Sequence, residues 1–216
     1  MAGVPDTVAP VVRVRGEATR RFAPDHAELS VSVERTSAVD RAAALEQASA
    51  TAVALREALD RAPGVREVVL SRVVVREATQ WNPSRQVQEH TGWVAYLGGH
   101  VKVDAAAAGD IAGVVAMTEA GVSGVVWGLD DRPAAHRETR IAAVTAAREA
   151  AEDFAVAVDR ELGELRVVAD QGLSGGPPQA FALSAAGAAA ADAPRVDLDP
   201  EPVEVYAAVE ATYLLA

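Results

Sequence analysis

A two-residue period near both ends of the chain sets the strongest limit on its fold. From Ala27 to Thr36, Leu29, Val31 and Val33 fall on one face while Glu28, Ser30, Ser32 and Glu34 fall on the other. From Val203 to Leu215 the residues Val203, Val205, Ala207, Val209, Ala211, Tyr213 and Leu215 alternate without a break. Successive side chains of a strand point to opposite faces, so each stretch reads as a half-buried antiparallel strand. The opening Val11-Val12-Arg13-Val14-Arg15-Gly16 leads through Phe22-Ala23-Pro24-Asp25 into the first of them and reads as strand, turn, strand. The final strand is expected to enter the sheet and tie down that end of the chain.

Between these strands the period changes to that of a helix. Ser37 with Asp40 three residues on makes an imperfect capping box, and Leu45, Ala48, Ala52, Leu55 and Leu59 then step by three and four up to Pro63-Gly64. Val65 to Glu77 is rich in valine with weak alternation and predicts a strand more buried than its neighbours. A polar loop over Ala78 to Thr91, holding Trp81-Asn82-Pro83, separates it from a strand over Gly92 to Val103. In that strand Trp93, Leu97, Val101 and Val103 face one way and Tyr96, His100 and Lys102 the other. Asp104 is placed to cap a short helix through Ala120, ended by Gly121. A strand over Val122 to Asp130 follows, with Val125, Trp127 and Leu129 on one face. Pro133 opens the longest helix, with Ile141, Val144, Ala147, Ala151, Phe154, Val158 and Leu162 as its apolar stripe. Leu165 to Asp170 is another short strand. The elements run ββαββαβαββ, an α+β fold of antiparallel sheet with packed helices.

Gly172 to Pro202 has no convincing periodicity and reads as a surface excursion in which Phe181 and Leu183 are the candidate contact residues. The expected organisation is a tail over 1–10 and one domain over 11–216 that carries this excursion.

Composition removes several functions. A chain of 216 residues, 50% hydrophobic, can bury about 70% of its unfolded surface without staples. Because only 4% of residues are aromatic, the core must come from valine, leucine and alanine. A net charge of -11 repels phosphate backbones and anionic lipid, so nucleic acid is not an expected partner and membrane insertion is not expected. The absence of cysteine removes disulfides, thiolate metal sites and cysteine nucleophiles. Met1-Ala2-Gly3-Val4-Pro5-Asp6 has neither a basic nor a long apolar leader segment, and the expected location is cytoplasmic.

The remaining chemistry is sparse. His26, His90, His100 and His136 show no close helical pairing of the kind that binds metal, and a structural or solvated role suffices for each. Asp130-Asp131 near His136 is the best metal-like cluster, although Asp131 before Pro133 is also how a helix starts. Ser174-Gly175-Gly176 lacks the geometry of a nucleophile elbow, and Gly172 to Gly176 leads into prolines and not into a phosphate-binding helix. If the first, second and last strands share a sheet, Arg13 and Arg15 lie near Glu28, Glu34, Glu204 or Glu210 as a charge ladder. Trp93 and Trp127 continue apolar strand faces and belong to the core, whereas Trp81 stands in a polar loop and is the tryptophan placed for a contact.

With those elements in order, the chain resembles the SIMPL-domain, or YggE-like, family from Val11 to Leu215. The resemblance rests on Val12-Arg13-Val14-Arg15-Gly16, on Pro24-Asp25-His26-Ala27-Glu28-Leu29, on Gly92-Trp93-Val94-Ala95, on Gly121 with its valine-rich strand, and on the helix with Ala142, Ala143, Ala146, Ala147 and Ala150. Ala18 departs from the pattern, where the family often has a second glycine. The resemblance implies an α+β fold, self-assembly and links to oxidative stress or signalling partners, and it carries no catalytic residue set. The expected function is therefore a non-enzymatic, self-associating scaffold or stress-related interaction module, a homo-oligomer with no cofactor and no metal. The alternative is a small-molecule-binding protein or hydrolase with a pocket between helix and sheet, using His100 or the group Asp130, Asp131 and His136.

Overall fold

Alternation becomes pairing in two separate antiparallel sheets. The computed structural model describes residues 9–170 and 198–216. In chain order its elements are β1 (Val11–Phe22), β2 (His26–Ser37), α1 (Arg41–Asp60), β3 (Val65–Asn82), β4 (Val87–Asp104), α2 (Ala108–Met117), β5 (Gly121–Gly128), α3 (Arg132–Ala157), β6 (Leu162–Asp170) and β7 (Val203–Leu215). This is the expected ββαββαβαββ order, with a single 3-10 turn at Ala105–Ala107 leading into α2. Phe181 and Leu183 lie outside the described residues, as does most of the 172–202 excursion.

The chain groups into two compact units, one formed by 9–22, 131–170 and 203–216 and the other by 23–130 and 198–202. In the second unit four strands run in the order β3-β4-β2-β5. Ala27, Leu29, Val31 and Val33 of β2 and Ala95, Leu97, Val101 and Val103 of β4 form one buried face, against which Ala44, Ala48, Ala52, Leu55 and Leu59 of α1 and Ile111 and Val115 of α2 pack. Trp93 and Trp127 rest on this core, as their strand faces predict. In the first unit three strands run in the order β1-β7-β6, and α3 covers Val14, Val209, Ala211 and Tyr213 with Ala143, Ala147 and Ala151. Gly16 permits that contact, because a Cβ there would stand well inside van der Waals distance of the Ala143 carbonyl oxygen.

Several local expectations change once the strands are paired. The first, second and last strands do not share one sheet: β1 pairs with β7, and β2 pairs with β4 and β5. The charge ladder therefore forms only with β7, through Arg13 to Glu210 and Arg21 to Glu204, while Arg15 donates to the Tyr206 hydroxyl. Glu28 and Glu34 belong to the other sheet.

Asp40, not Ser37, caps α1 by accepting from the Ala43 amide at 2.7 Å; Ser37 ends β2 and accepts from the Val39 amide. Ala44 takes the buried place expected for Leu45. Asp104 caps nothing, since its carboxylate is held by Arg66.

The valine-rich β3 is the sheet's edge and not its centre, which leaves Val73 61% exposed. The expected polar loop is instead the far end of the β3–β4 hairpin, with Thr79 opposite His90 and Trp81 opposite Gln88.

The largest change concerns α3. Its buried stripe is Ala135, Thr139, Ala143, Ala147, Ala151 and Ala155, while Ile141, Val144, Phe154 and Val158 are exposed and Leu162 begins β6. The sheet beneath offers Gly16, Ala18, Ala207 and Ala211, so the helix approaches with its smallest side chains and its larger ones are displaced outward.

Candidate functional site

The densest set of charged groups lies where four strands of the second unit begin or end. Pro24 and Asp25 break the chain ahead of β2, and Asp25 is then held through its amide, its carbonyl and its carboxylate. The amide donates to the Gly128 carbonyl at 2.9 Å, the carbonyl accepts from the Ala105 amide at 3.2 Å, and the carboxylate accepts from the Asp130 amide at 2.9 Å. Arg66, at the start of β3, points three donors inward: Nε to Asp104 Oδ1 at 2.6 Å, Nη1 to Asp130 Oδ2 at 2.7 Å and Nη2 to the Asp25 carbonyl at 3.1 Å. This uses the rigid guanidinium fork in a way that a lysine could not reproduce. Lys102 adds its Nζ at 3.6 Å from Asp130 Oδ1.

His26, the first residue of β2, completes the group. It is only 8% exposed, and its ring lies so close to the backbone of Gly128 that a Cβ there would collide with Nε2. Its Nδ1 stands 3.0 Å from Asp130 Oδ1, within ion-pair distance but off the hydrogen-bond direction, and it makes no hydrogen bond. The Arg66 hydrogen bond, above all, holds the Asp130 carboxyl below its ordinary range; burial opposes this, and the charges of Arg66, His26 and Lys102 reinforce it. Arg66 is in turn raised by its hydrogen bonds to Asp130 and Asp104.

Such a group ties strand ends together through paired charges and hydrogen bonds. Asp130 is kept ionised by cations already bound to it, which makes it a poor proton donor or acceptor near neutral pH. None of these side chains is a serine, threonine or cysteine nucleophile. Among the described residues no group of three or more histidine, aspartate or glutamate side chains is arranged to hold a metal ion.

The residues singled out from sequence go to different places. Asp130 enters the clamp, but Asp131 caps α3 by accepting from the Ala134 amide at 2.9 Å. His136 lies partly buried near the start of that helix, and His100 sits on the open sheet face between Ser30 and Val69. Trp81 is 54% exposed at the far end of the β3–β4 hairpin. Sequence reasoning missed Asp25, Arg66 and Asp104 as members of one group; the signals were an aspartate after proline at a strand start and an arginine opening an otherwise apolar run.

Two surface recesses lie on the described residues. One, of about 230 Å³, lies between the end of α1 and the start of β3 and is lined by Arg56, Leu59, Asp60, Ala62, Val65, Arg66, Glu67 and Val68. The other, of about 280 Å³, lies on α3 beside Arg137, Arg140, Ile141, Val144 and Thr145. Both fall below the roughly 300–1,000 Å³ of a usual small-molecule site. Neither is lined by His100, Asp130, Asp131 or His136. No described helix is long and apolar enough to cross a membrane.

No curated protein matches the chain. A family described as "SIMPL: Protein of unknown function (DUF541)" matches residues 12–213, a span that takes in both sheets, all three helices and the Asp25–Asp130 clamp. The chain belongs to the SIMPL family.

Proposed function

We propose that this protein is a non-enzymatic, self-associating scaffold or stress-related interaction module that works in the cytoplasm, each chain contributing one SIMPL domain. The observation that carries the reading is the set of large apolar side chains left on unpaired surfaces: Val73 and Val74 on the edge strand β3, Trp81 on its hairpin, and Ile141 and Val144 on the outer side of α3. Exposed strand edges and clustered apolar side chains are the usual raw material of association. The clamp around Asp130, by contrast, has its charges already paired and offers no reacting group.

Light scattering coupled to size exclusion, over a wide range of dilution, tests the reading. A discrete mass above that of one chain, reduced by Trp81→Ala, is the expected result; a single-chain mass at every concentration overturns it. The competing reading, a ligand pocket between helix and sheet, requires saturable stabilisation by a small molecule that is lost in His136→Ala or His100→Ala.

A further inference from the structure

We propose that the edge strand β3 is a self-pairing interface, to which β3 of a second copy of this chain adds antiparallel, with Glu67 of each copy opposite Arg76 of the other. The proposal rests on the self-association reading and names its surface and register.

β3 pairs with β4 on one side and with no described strand on the other, so alternate backbone amides and carbonyls point outward. Its two faces follow from the register with β4, because directly opposed residues lie on the same side of a sheet. Val68, Leu70, Val73 and Val75 stand opposite Val101, Gly99, Leu97 and Ala95, which places them on the face that α1 covers. Glu67, Val69, Arg72, Val74 and Arg76 stand opposite Lys102, His100, Gly98, Tyr96 and Val94, which places them on the other face. The alternation slips by one residue at Ser71, where the register with β4 shifts between Leu70 and Arg72.

That slip selects the way in which a second β3 fits. A two-fold axis perpendicular to the sheet keeps each face on its own side, so every residue must meet a residue of the same face. In an unbroken strand this condition sets the axis beside a residue that meets its own copy. With the slip, the axis falls between Ser71 and Arg72. Leu70 then meets Val73, Val69 meets Val74, Val68 meets Val75 and Glu67 meets Arg76, each pair on one face, while Ser71 meets Arg72 at the axis. Outward-pointing backbone groups alternate in step with the faces, so they too meet their like, as a hydrogen-bonded ladder requires. A register moved by two residues either way sets Glu67 against Val74 or Ala78, and Val69 against Arg72 or Arg76.

Charge points to the same occupant. Arg66 is held by Asp104 and Asp130, and Glu77 stands 4.0 Å from His90. Glu67 and Arg76, lying between them in sequence, are exposed and make no ion pair among the described residues. The two-fold register satisfies both, and it covers the exposed Val73 and Val74 with Leu70 and Val69 of the second copy. Because the strand is complementary to itself, the assembly closes as a pair and joins two four-stranded sheets into one.

The test uses the full chain and two charge-reversed variants, Glu67→Arg and Arg76→Glu, each checked for native circular dichroism and sized by light scattering across dilution. Each reversal alone is expected to weaken association about tenfold, because it sets like charges opposite one another at both ends of the paired segment. An equimolar mixture of the two is expected to associate again. In a mixed pair the arginine brought in by Glu67→Arg faces the glutamate brought in by Arg76→Glu, and the unaltered Arg76 of one copy faces the unaltered Glu67 of the other. Association of the native chain that neither reversal changes overturns this interface and leaves self-association standing. Reversals that weaken association without rescue on mixing also overturn it. A native chain that stays single at every concentration overturns both readings.

Discussion

The two units bury a helix on an antiparallel sheet by opposite means. In the second, α1 presents alanine for two turns and then Leu55 and Leu59, both fully buried, against Leu29, Val31 and Val101. Burying a leucine contributes about 1.5–3 kcal/mol, whereas an alanine methyl contributes about 0.8 kcal/mol. In the first unit α3 offers almost nothing but alanine, and Gly16 lets helix and sheet backbones approach closely. The side chains buried there are smaller, and close approach of the backbones takes the place of side-chain bulk. The difference teaches that one packing surface is intolerant of subtraction and the other of addition.

The sharpest way to break this comparison is to add volume where there is none. Gly16→Val sets a branched side chain where even a Cβ collides with the Ala143 carbonyl oxygen, so helix or sheet backbone must shift. We predict a loss of about 3 kcal/mol or more in denaturant unfolding; a variant as stable as the native chain sinks the close-packing account. Next, Leu55→Ala in the other unit is expected to cost about 2–5 kcal/mol as transfer and cavity terms add.

Smaller effects sharpen the picture. Asp131→Ala removes the acceptor that caps α3 and Asp40→Ala the one that caps α1; each is expected to lower stability by about 1 kcal/mol, read as a shift in the urea midpoint. Asp130→Asn has a pH signature. A carboxyl held below its ordinary 3.8 stabilises the fold above that value, and the contribution is lost as pH falls through the lower folded value. The thermal midpoint of the native chain should therefore decline more steeply on the acid side than that of the variant, and parallel curves would remove the clamp's electrostatic role. Ile141→Ala, on an outward position 62% exposed, should change stability measured at concentrations where single chains dominate by less than about 0.5 kcal/mol. A cost near that of Leu55→Ala would mean that α3 is buried on its outer side too.

The legible part of this fold is the part in which a period meets one buried face. Leu29, Val31 and Val33 announce their strand because every second residue is polar, and β7 announces itself through the same unbroken alternation. The order of elements follows from such runs and from the turns between them. The α3 stripe is misread when apolar size is the mark of a buried face, because Ile141, Val144 and Phe154 outweigh alanine on that measure. Only the glycine and alanine content of the opposing sheet, with Gly16 more than a hundred residues away in sequence, decides otherwise.

The position of β3 is illegible for a related reason. Valine runs suit a central strand, but rank within a sheet depends on which strands pair, and that is not a local property. The clamp shows the same limit. Asp130 stands out in the sequence as an acid beside an acid, yet the donor that decides its charge state, Arg66, lies 64 residues earlier and arrives only through strand register. His100 stands on the face opposite Val101 and Val103, which alternation alone assigns.

The pairing of β1 with β7 also bears on how the chain emerges during synthesis. Val11 finds its partner only in Leu214, and Phe22 only in Val203, so the sheet of the first unit cannot close until its last strand has been made. The strands β2 to β5 have all been synthesised by Gly128 and can pair long before that. During translation β1 therefore waits with its ladder unfilled, a long-range contact of the slowest kind to form. Pulse proteolysis of stalled nascent chains should find the 23–130 stretch protected first, with β1 gaining protection only after β7 has cleared the ribosome.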